Sequence, residues 1–371
     1  MPREADRRTK RIWSSPLVAG VGEGLGTLAL ILALSAIAIA WAGADPLAAG
    51  AAAFRQTFSG SYEVAGFVAL SLPLTIVALG AAASFRGGLY NLGLEGQLII
   101  GAALGSIVGA HVGPLWAPLH ITLTLLAGGV AGGLVAALLG WLRVAFRVDE
   151  VVSTLLANYV VVLVAAYLAI YPFRDPKRFN GAMQKILETA ELPTLLPGTE
   201  LTWGLFIALA LAGAMYWLLQ RSKLGDDWTL LGQSPSVARA AGIRVERLSM
   251  LVMTSSGFLA GLAGAFMVAA TQHRYFANLA IGLGFDGILI AMVARYRVIA
   301  VFLWSLAYSW MLLAADGVEQ ATGIPSEFAQ VIIAAVILGV AVRAGLLDML
   351  MRLAGSVARA LLRPRGAGGE R

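Results

Sequence analysis

A group of polar side chains stands at the entrance of a long apolar run, where they could bind a solute or hold a helix. Asn91, Glu95 and Gln97 open this run within SFRGGLYNLGLEGQLIIGAALGSIVGA, residues 84–110. A carboxylate and two amides that enter a membrane helix are costly unless they face protein, ligand or water. The stretch is therefore predicted to be a packed helix inside a membrane bundle, with a polar group at its mouth.

Two roles are open for Glu95. As a structural residue it would accept N–H donors from the Gly87–Gly88 turn or pair with Arg86. Alternatively, its carboxylate would border a solute path or gate. The structural role is favoured because an acid in the first turn also suits the helix dipole. Asn91 is expected to cap the same helix.

Further polar candidates lie in later apolar runs. Asn158 and Tyr159 lie mid-span, and a buried amide there needs a partner on a neighbouring helix or on a hydroxyl of a bound solute. Phe285 and Asp286 stand between two glycines, where the backbone is predicted to be broken and to face protein or a water-filled cavity. The candidate residues of a translocation path are Asn91, Glu95, Asn158, Tyr159, Phe285 and Asp286. Such a thinly charged lining suits a neutral polar solute.

The sequence lacks the motifs of several enzyme classes. It contains no Gly-Lys dipeptide, no HExxH and no GxSxG, which excludes P-loop ATP hydrolysis, a zincin protease and a lipase-like elbow. Cysteine is absent, and the three histidines do not recur at helical metal-ligand spacing. No catalytic residue and no metal site are therefore expected, and an intramembrane enzyme is the least favoured class.

The composition predicts an all-α polytopic membrane protein. The chain is 59% hydrophobic and 13% charged, whereas a soluble domain is about 25% charged. A membrane helix needs about 20 mostly apolar residues. The candidate spans are 20–43, 62–83, 94–112, 116–142, 150–171, 201–220, 248–270, 281–295, 298–315 and 327–345. About ten transmembrane helices would thus fill residues 20–345, between a basic N-terminus (1–19) and a basic C-terminal tail (346–371).

The distribution of basic residues orients these spans. Ten spans put both termini on one side, and 21 of the 27 basic residues fall on that side while 6 fall on the other. By the positive-inside rule, both termini are predicted to be cytoplasmic, and the net charge of +6 needs no nucleic acid. The loop 172–200 is then external, and the loop 221–247 is cytoplasmic. The Gly87–Gly88 turn is cytoplasmic as well, so Glu95 is expected near an inner gate.

Glycines recur at helical spacing in two of the predicted spans. Small residues at this spacing let neighbouring helices approach closely. The predicted packing positions are Gly101, Gly105, Gly109, Gly257, Gly261 and Gly264. Close packing is favoured over a hinge.

A short helix is predicted in the cytoplasmic loop. Ser234 is a plausible N-cap, Pro235 suits the first helical position, and Gly242 suits the C-terminal stop. A helix over 235–241 with small side chains and a flanking Arg239 would fit a groove on a soluble protein. From the residues alone, an ordinary loop helix is equally compatible with the pattern.

Five motifs of this chain resemble one family. The pattern A-x-x-x-G-I-x-V-x-R at 238–247 and SSGFLAGLAG at 255–264 resemble the coupling loop of ABC importer permeases of the ribose and branched-chain amino acid superfamily. GLYNLGLEGQ, DEVVSTLLANYV and GFDGI resemble its nucleoside and simple-sugar branch. The branch usually continues after GFDGI into an Asn-Pro turn, whereas this chain has a basic turn with Arg295 and Arg297.

This resemblance implies a fold, a function and partners. The implied fold is a type II-like importer bundle in the bacterial inner membrane. The implied function is translocation of a nucleoside or simple sugar that an external binding protein, periplasmic or lipid-anchored, delivers. A separate ATPase subunit would use ATP and Mg, so this chain would bind no cofactor and would not be an enzyme. A second permease subunit, a homologue in a heterodimer, would complete the bundle within the lipid.

The resemblance also implies which residues meet the ATPase. The implied coupling residues are Pro235, Val237, Ala238, Arg239, Ala240 and Gly242. The alternative function is an ion-coupled secondary transporter of a small polar solute. It would need a relay of acids or histidines inside the spans, for which only Glu95 and Asp286 are available.

Overall fold

The computed structural model describes residues 36–37, 39–40, 43–178, 181–277, 279, 281–323 and 325. The chain divides into two compact units, one formed by residues 1–52 with 315–371 and the other by residues 53–314. Most of the first unit lies outside the described residues. The second unit contains all the candidate site residues.

Eleven α-helices follow one another along the described chain, and no strand occurs between them. They are α1 (Pro46–Phe58), α2 (Ser61–Arg86), α3 (Leu94–His111), α4 (Ala117–Phe146), α5 (Glu150–Ile170), α6 (Gly204–Arg221), α7 (Lys223–Gln233), α8 (Pro235–Ala240), α9 (Val245–Met267), α10 (Leu283–Val293) and α11 (Val298–Thr322). A 3₁₀ turn spans Glu188–Ala190, and a π turn over Val268–Gln272 continues α9. The prediction of an all-helical membrane protein is confirmed.

Seven helices in the described part are long and apolar enough to cross a membrane. They are α2, α3, α4, α5, α6, α9 with its π turn, and α11. The predicted spans 20–43 and 327–345 lie almost entirely or entirely outside the described residues, so the total of about ten remains a prediction. The span predicted at 281–295 is an apolar helix of only 11 residues, α10. Helix α1 lies between the predicted spans 20–43 and 62–83, where no helix was predicted.

Three helices form a tightly packed centre. Gly101 on α3, Gly128 on α4 and Gly261 on α9 meet with their backbones in contact, and a Cβ on any of them would collide with the backbone of another. A Cβ on Gly264 would collide with the carbonyl of Leu98. Glycines in a membrane bundle allow this close approach because they have no side chain.

The remaining predicted packing glycines serve the same centre. A Cβ on Gly105 would lie 2.7 Å from the Cβ of Ala265, and one on Gly257 would collide with Ala136. Gly109, at the end of α3, instead faces Ile186 in the segment between α5 and α6. The small-residue face of α3 thus runs along its whole length.

The bundle has two distinct ends. The short helices α7 and α8 lie at one, here called the α8 end. At the opposite end, the segment between α5 and α6 lies over the ends of α3 and α9. Its backbone is bonded there, since the N–H of Leu192 donates to the carbonyl of Ala269 at 2.8 Å.

Candidate functional site

The chain between α2 and α3 is not helical and lies inside the bundle. Asn91 and Gln97 are fully buried, and the Asn91 Nδ2 donates to Gln97 Oε1 at 2.8 Å and to Ser256 Oγ at 3.0 Å. Asn91 does not cap α3, because the N-cap is Gly93. The Asn91 side chain instead accepts a hydrogen bond from the Gly93 N–H at 3.0 Å. The predicted cap is therefore wrong, and Asn91 pins the unwound segment to α9.

Asn158 fastens the same segment from α5. Its Nδ2 donates to the carbonyl of Leu92 at 2.8 Å, and its Oδ1 accepts from the Gly96 N–H at 2.9 Å. Thr154, one turn earlier, accepts from the Leu92 N–H at 3.1 Å. Backbone that leaves a helix inside a membrane must find such partners in the protein. Both polar ends of the Asn158 amide are satisfied by the protein itself.

Glu95 binds the start of α10. Its Oε1 accepts from the N–H of Gly282 at 2.6 Å and its Oε2 accepts from the N–H of Gly284 at 2.7 Å. The expected partners, the Gly87–Gly88 turn and Arg86, are wrong, since Arg86 Nε donates to Thr229 on α7. Glu95 belongs to the first turn of α3, and its carboxylate lies against the start of α10. The partial positive charges of two helix N-termini therefore stabilise this one carboxylate.

The glycines around Glu95 make this contact sterically feasible. Gly282 has a φ of +91°, a left-handed conformation that glycine adopts without strain. A Cβ on Gly284 would collide with the backbone of Glu95 itself. Gly284, the first residue of GFDGI, must therefore lack a side chain in order to lie against Glu95 and donate to its carboxylate.

The polar cluster, formed by Asn91, Gln97, Asn158 and Ser256, lies half-way along α9 rather than at the α8 end. Ser256, which Asn91 contacts, comes eleven residues after Val245, the first residue of α9. At about 1.5 Å per residue this is about 16 Å, roughly half of a hydrocarbon core that is about 30 Å thick. The 87–93 segment thus runs from the α8 end back into the bundle before α3 begins, and the position of Glu95 relative to an inner gate remains a prediction.

Phe285 and Asp286 lie on α10 directly after the Glu95 contact. Phe285 is 41% exposed, and Asp286 is partly buried with its Oδ1 accepting a hydrogen bond from the Tyr308 hydroxyl on α11. The backbone at these residues is helical rather than broken, and the break comes before them, at Gly282. Tyr308 was not singled out from the sequence, although a tyrosine within an apolar span is the kind of signal that indicates such a partner.

Tyr159 stands apart from the other candidates. Its side chain is 67% exposed on the outer face of α5, whereas the adjacent Asn158 is buried. Consecutive helical residues point about 100° apart, so one amide can face the bundle while its neighbour faces away. The structure brings together Asn91, Glu95 and Asn158, with Phe285 and Asp286 next to them, but not Tyr159.

At the α8 end, α7 holds α8 against the bundle. Trp228 on α7 is buried, and its Nε1 donates to the carbonyl of Ala83 on α2 at 2.8 Å. Ser234 is both the last cap of α7 and the first cap of α8, where its Oγ accepts from Val237 N–H at 3.4 Å. Trp228 was missed from the sequence, although Gly225, Trp228 and Leu231 form a buried stripe at i, i+3 spacing.

The predicted coupling residues separate into exposed and buried ones. Helix α8 spans Pro235–Ala240, one residue shorter than predicted, and Gly242 has the left-handed φ of +83° that was expected of a stop. Val237 is 53% exposed, and Arg239 is exposed in an ion pair with Glu246 at 2.8 Å. Pro235, Ala240 and Gly242 are exposed as well. Ala238 is fully buried, so it anchors α8 and cannot touch a partner.

The opposite end carries a cavity of about 530 Å³. It is lined by Glu188, Glu191, Leu192, Pro193, Thr194, Thr199, Glu200, Ala270, Thr271 and His273. Burial, together with the nearby charges of Lys185 and Arg274, lowers the pKa of His273 despite the opposing effect of Glu191. Within the described residues, no group of three or more His, Cys, Asp or Glu side chains could hold a metal ion.

An apolar bundle with unwound, polar-fastened backbone half-way along its helices is typical of a membrane transport protein. The profile of the family described as "Branched-chain amino acid transport system / permease component" matches residues 64–341. The chain belongs to this permease family, and the resemblance stated from the motifs is confirmed.

Individual relatives agree with this assignment. The glucose ABC transporter permease protein of Haloferax volcanii is 30% identical over 90% of this chain and 88% of its own length. The guanosine ABC transporter permease protein of Bacillus subtilis is 31% identical over 88% of this chain and 92% of its own. The nucleoside ABC transporter permease protein NupB of Lactococcus lactis is 24% identical over 73% and 77%. No solved structure matches this chain. Membership of this family favours the permease over the ion-coupled transporter.

Proposed function

We propose that this chain is a permease subunit of an ABC importer and that it translocates a nucleoside or a simple sugar. Its relatives from Bacillus subtilis and Haloferax volcanii carry the names of a guanosine and a glucose permease protein. In this proposal an external binding protein delivers the solute, and a separate ATPase subunit binds ATP and Mg. A second, homologous permease completes the path. Both termini face the cytoplasm of a cell whose inner membrane holds the complex.

The geometry of α8 is the observation that best supports this proposal. A six-residue helix is too short to be stable by itself, so its position depends on its neighbours. Ala238 anchors it, and Val237 and Ala240 remain exposed next to one another. An anchored helix with a small apolar exposed face fits a groove on an ATPase subunit and would move with it.

A neutral solute is supported by the state of the central carboxylates. Glu95 is occupied by two backbone N–H donors, and Asp286 accepts from Tyr308. Both carboxylates thus accept hydrogen bonds from the protein itself. Phe285, exposed beside them, offers a ring face on which a nucleobase or a sugar can stack.

Co-purification tests this function. The chain is co-expressed with its candidate ATPase, partner permease and binding protein, and the complex is isolated through a tag on this chain. We expect the ATPase to co-purify with the unaltered chain and to be lost at least about tenfold in V237E and A240E, because a buried unpaired carboxylate is costly. L196E places the same charge on an exposed leucine of the opposite end and serves as the control. Equal ATPase recovery in all three variants would contradict the assignment of α8.

A further inference from the structure

Helix α7 packs closely against the last turn of α2. The indole of Trp228 is 1% exposed and donates to the carbonyl of Ala83 at 2.8 Å. One residue later, Thr229 Oγ1 accepts from Arg86 Nε at 3.0 Å. Two hydrogen bonds and a buried ring thus join α7 to the point where α2 ends.

Backbone meets backbone one turn further along α7. A Cβ on Gly232 would collide with the carbonyl of Arg86 and lie 2.9 Å from atoms of Gly87 and Gly88. Reciprocally, a Cβ on Gly88 would lie 2.8 Å from the Cα of Gly232. Because no flexible side chain separates the two backbones, a displacement of α7 must move residues 86–88 as well.

Residues 87–93 extend from this contact to the polar cluster. Their far end is bonded to α9 through Asn91 and to α5 through Asn158, and the next turn carries Glu95, which holds Gly282. The segment is also held by its own backbone, since the Leu89 N–H donates to the carbonyl of Ser84 at 3.0 Å and the Asn91 N–H donates to the carbonyl of Leu89 at 3.2 Å. A continuous series of contacts therefore runs from α7 to the start of α10.

Helix α8 is joined to this series without a linker. Ser234 is the single residue between the two helices, and it caps the end of α7 and the start of α8. Ile243 N–H also closes back on the carbonyl of Ala238 at 3.0 Å. A force on the exposed face of α8 is thus delivered to α7.

We infer that the Trp228–Gly232 face of α7 transmits ATP-driven motion from α8 to the start of α10, with both residues acting as positioning residues. This inference rests on the proposed function, because it needs an ATPase that pushes α8. Thermodynamic coupling is reciprocal, so the same contact must carry the signal of a docked, loaded binding protein back to the ATPase. Weakening it uncouples the two sites while each remains occupied.

The test uses the complete complex in liposomes with three variants and two controls. W228F keeps a ring but removes the donor to Ala83, T229V removes the acceptor for Arg86, and G232A pushes residues 86–88 away. G213A is the control for G232A, since a Cβ on Gly213 meets nothing within 4 Å. W217F is the control for W228F, because Trp217 on α6 is 63% exposed.

Three quantities are measured for each variant: ATPase co-purification, basal ATP hydrolysis, and the increase in hydrolysis and uptake caused by loaded binding protein. We expect co-purification and basal hydrolysis to stay as in the unaltered complex. The increase and the uptake should fall about fivefold or more in W228F and G232A, the range of ordinary allosteric coupling, and less in T229V. The control variants should match the unaltered complex.

A probe at the start of α10 reports the motion directly. The chain has no cysteine, so I281C, at a residue 68% exposed, can be labelled with an environment-sensitive fluorophore before reconstitution. ATP should change its fluorescence in the unaltered background and change it at least about fivefold less in W228F. Full uptake and an undiminished signal in W228F and G232A would overturn the inference. Loss of ATPase co-purification in the unaltered complex would instead contradict the proposed function.

Discussion

Glu95, in the first turn of α3, holds the backbone N–H of Gly284, in the first turn of α10, at 2.7 Å. The two residues are 189 positions apart in the chain. One helix begins where the other begins, about half-way along the bundle, and a single carboxylate joins both starts. Under the proposed function, this contact favours a structural role of Glu95 over direct binding of the solute.

Replacing Glu95 should therefore weaken the protein without changing its choice of solute. In E95Q the amide retains one acceptor oxygen, but its NH₂ faces a backbone N–H donor. Leaving that buried donor unsatisfied should lower the free energy of unfolding by about 1–3 kcal/mol. Thermal unfolding and uptake of a panel of nucleosides and sugars measure the two effects. E63Q alters an acid in the first turn of α2 and is the control. A changed ranking of solutes at normal stability would show that Glu95 binds the solute.

Asn158 should matter more than its neighbour Tyr159. N158A leaves the carbonyl of Leu92 and the N–H of Gly96 without partners, which should cost about 1–3 kcal/mol for each unsatisfied buried group. Y159F removes only a hydroxyl from an exposed ring, so the folded complex should keep its stability. Denaturation of both variants in the same detergent compares them. A stable N158A would mean that water or solute replaces the amide.

The glycine centre should reject the smallest side chain. In G261A the new Cβ collides with the carbonyl of Gly128 on α4, and overpacking of a tight core costs about 1–3 kcal/mol. G213A adds the same methyl group where nothing lies within 4 Å and should be neutral or slightly stabilising. Melting temperatures of the two proteins settle the comparison, and equal values would show that α4 and α9 can separate at no cost.

Asp286 and Tyr308 should act as a pair on solute transport. The single variants D286N and Y308F each weaken one hydrogen bond, and the double variant should lose less than their sum because the bond is shared. A coupling energy of about 0.5–3 kcal/mol in KM or kcat for uptake is expected for residues in contact. Strict additivity would mean that Asp286 and Tyr308 act separately.

F285L, which removes the exposed ring beside Asp286, should change the ranking of nucleosides against sugars in the uptake assay.

His273 should make stability at the opposite end depend on pH. Burial lowers the pKa of its imidazole in the folded protein below the ordinary value of 6.5, with Lys185 and Arg274 adding to the effect. The contribution of His273 to stability is thus fully present above the ordinary pKa. It is lost as the pH decreases, because the unfolded chain binds the proton at a higher pH than the folded protein. Between about pH 8 and about pH 5.5, the melting temperature should fall more for the unaltered protein than for H273Q. H111Q, at the end of α3, is the control. If the melting temperature of H273Q falls as much as that of the unaltered protein, His273 does not cause the pH dependence.

Local patterns predicted much of the fold. Apolar runs placed α2, α3, α4 and α5 within a few residues of their observed ends because burial in lipid requires apolar length. Ser234 and Pro235 located α8 because capping chemistry is local in sequence. The motifs at 88–97 and 238–264 indicated the family, which the comparisons confirm.

The partners of the polar residues could not be predicted in this way. Glu95 pairs with Gly282 across 187 positions, and no local pattern encodes that distance. The Gly87–Gly88 pair predicted a turn, but no local pattern shows that residues 89–93 return into the bundle without forming a helix. The burial of Ala238 was missed for a related reason, because a six-residue helix does not reveal which of its faces meets the protein.

Uptake into liposomes that hold the complete complex tests the central claim most directly. The liposomes contain this chain, its partner permease and the ATPase, and they receive loaded binding protein with labelled guanosine or glucose. We expect uptake to require ATP on the side of α8 and to continue when a protonophore and a sodium ionophore collapse both gradients. Uptake that persists without ATP, or that stops with the gradients while ATP remains, would contradict an ABC importer.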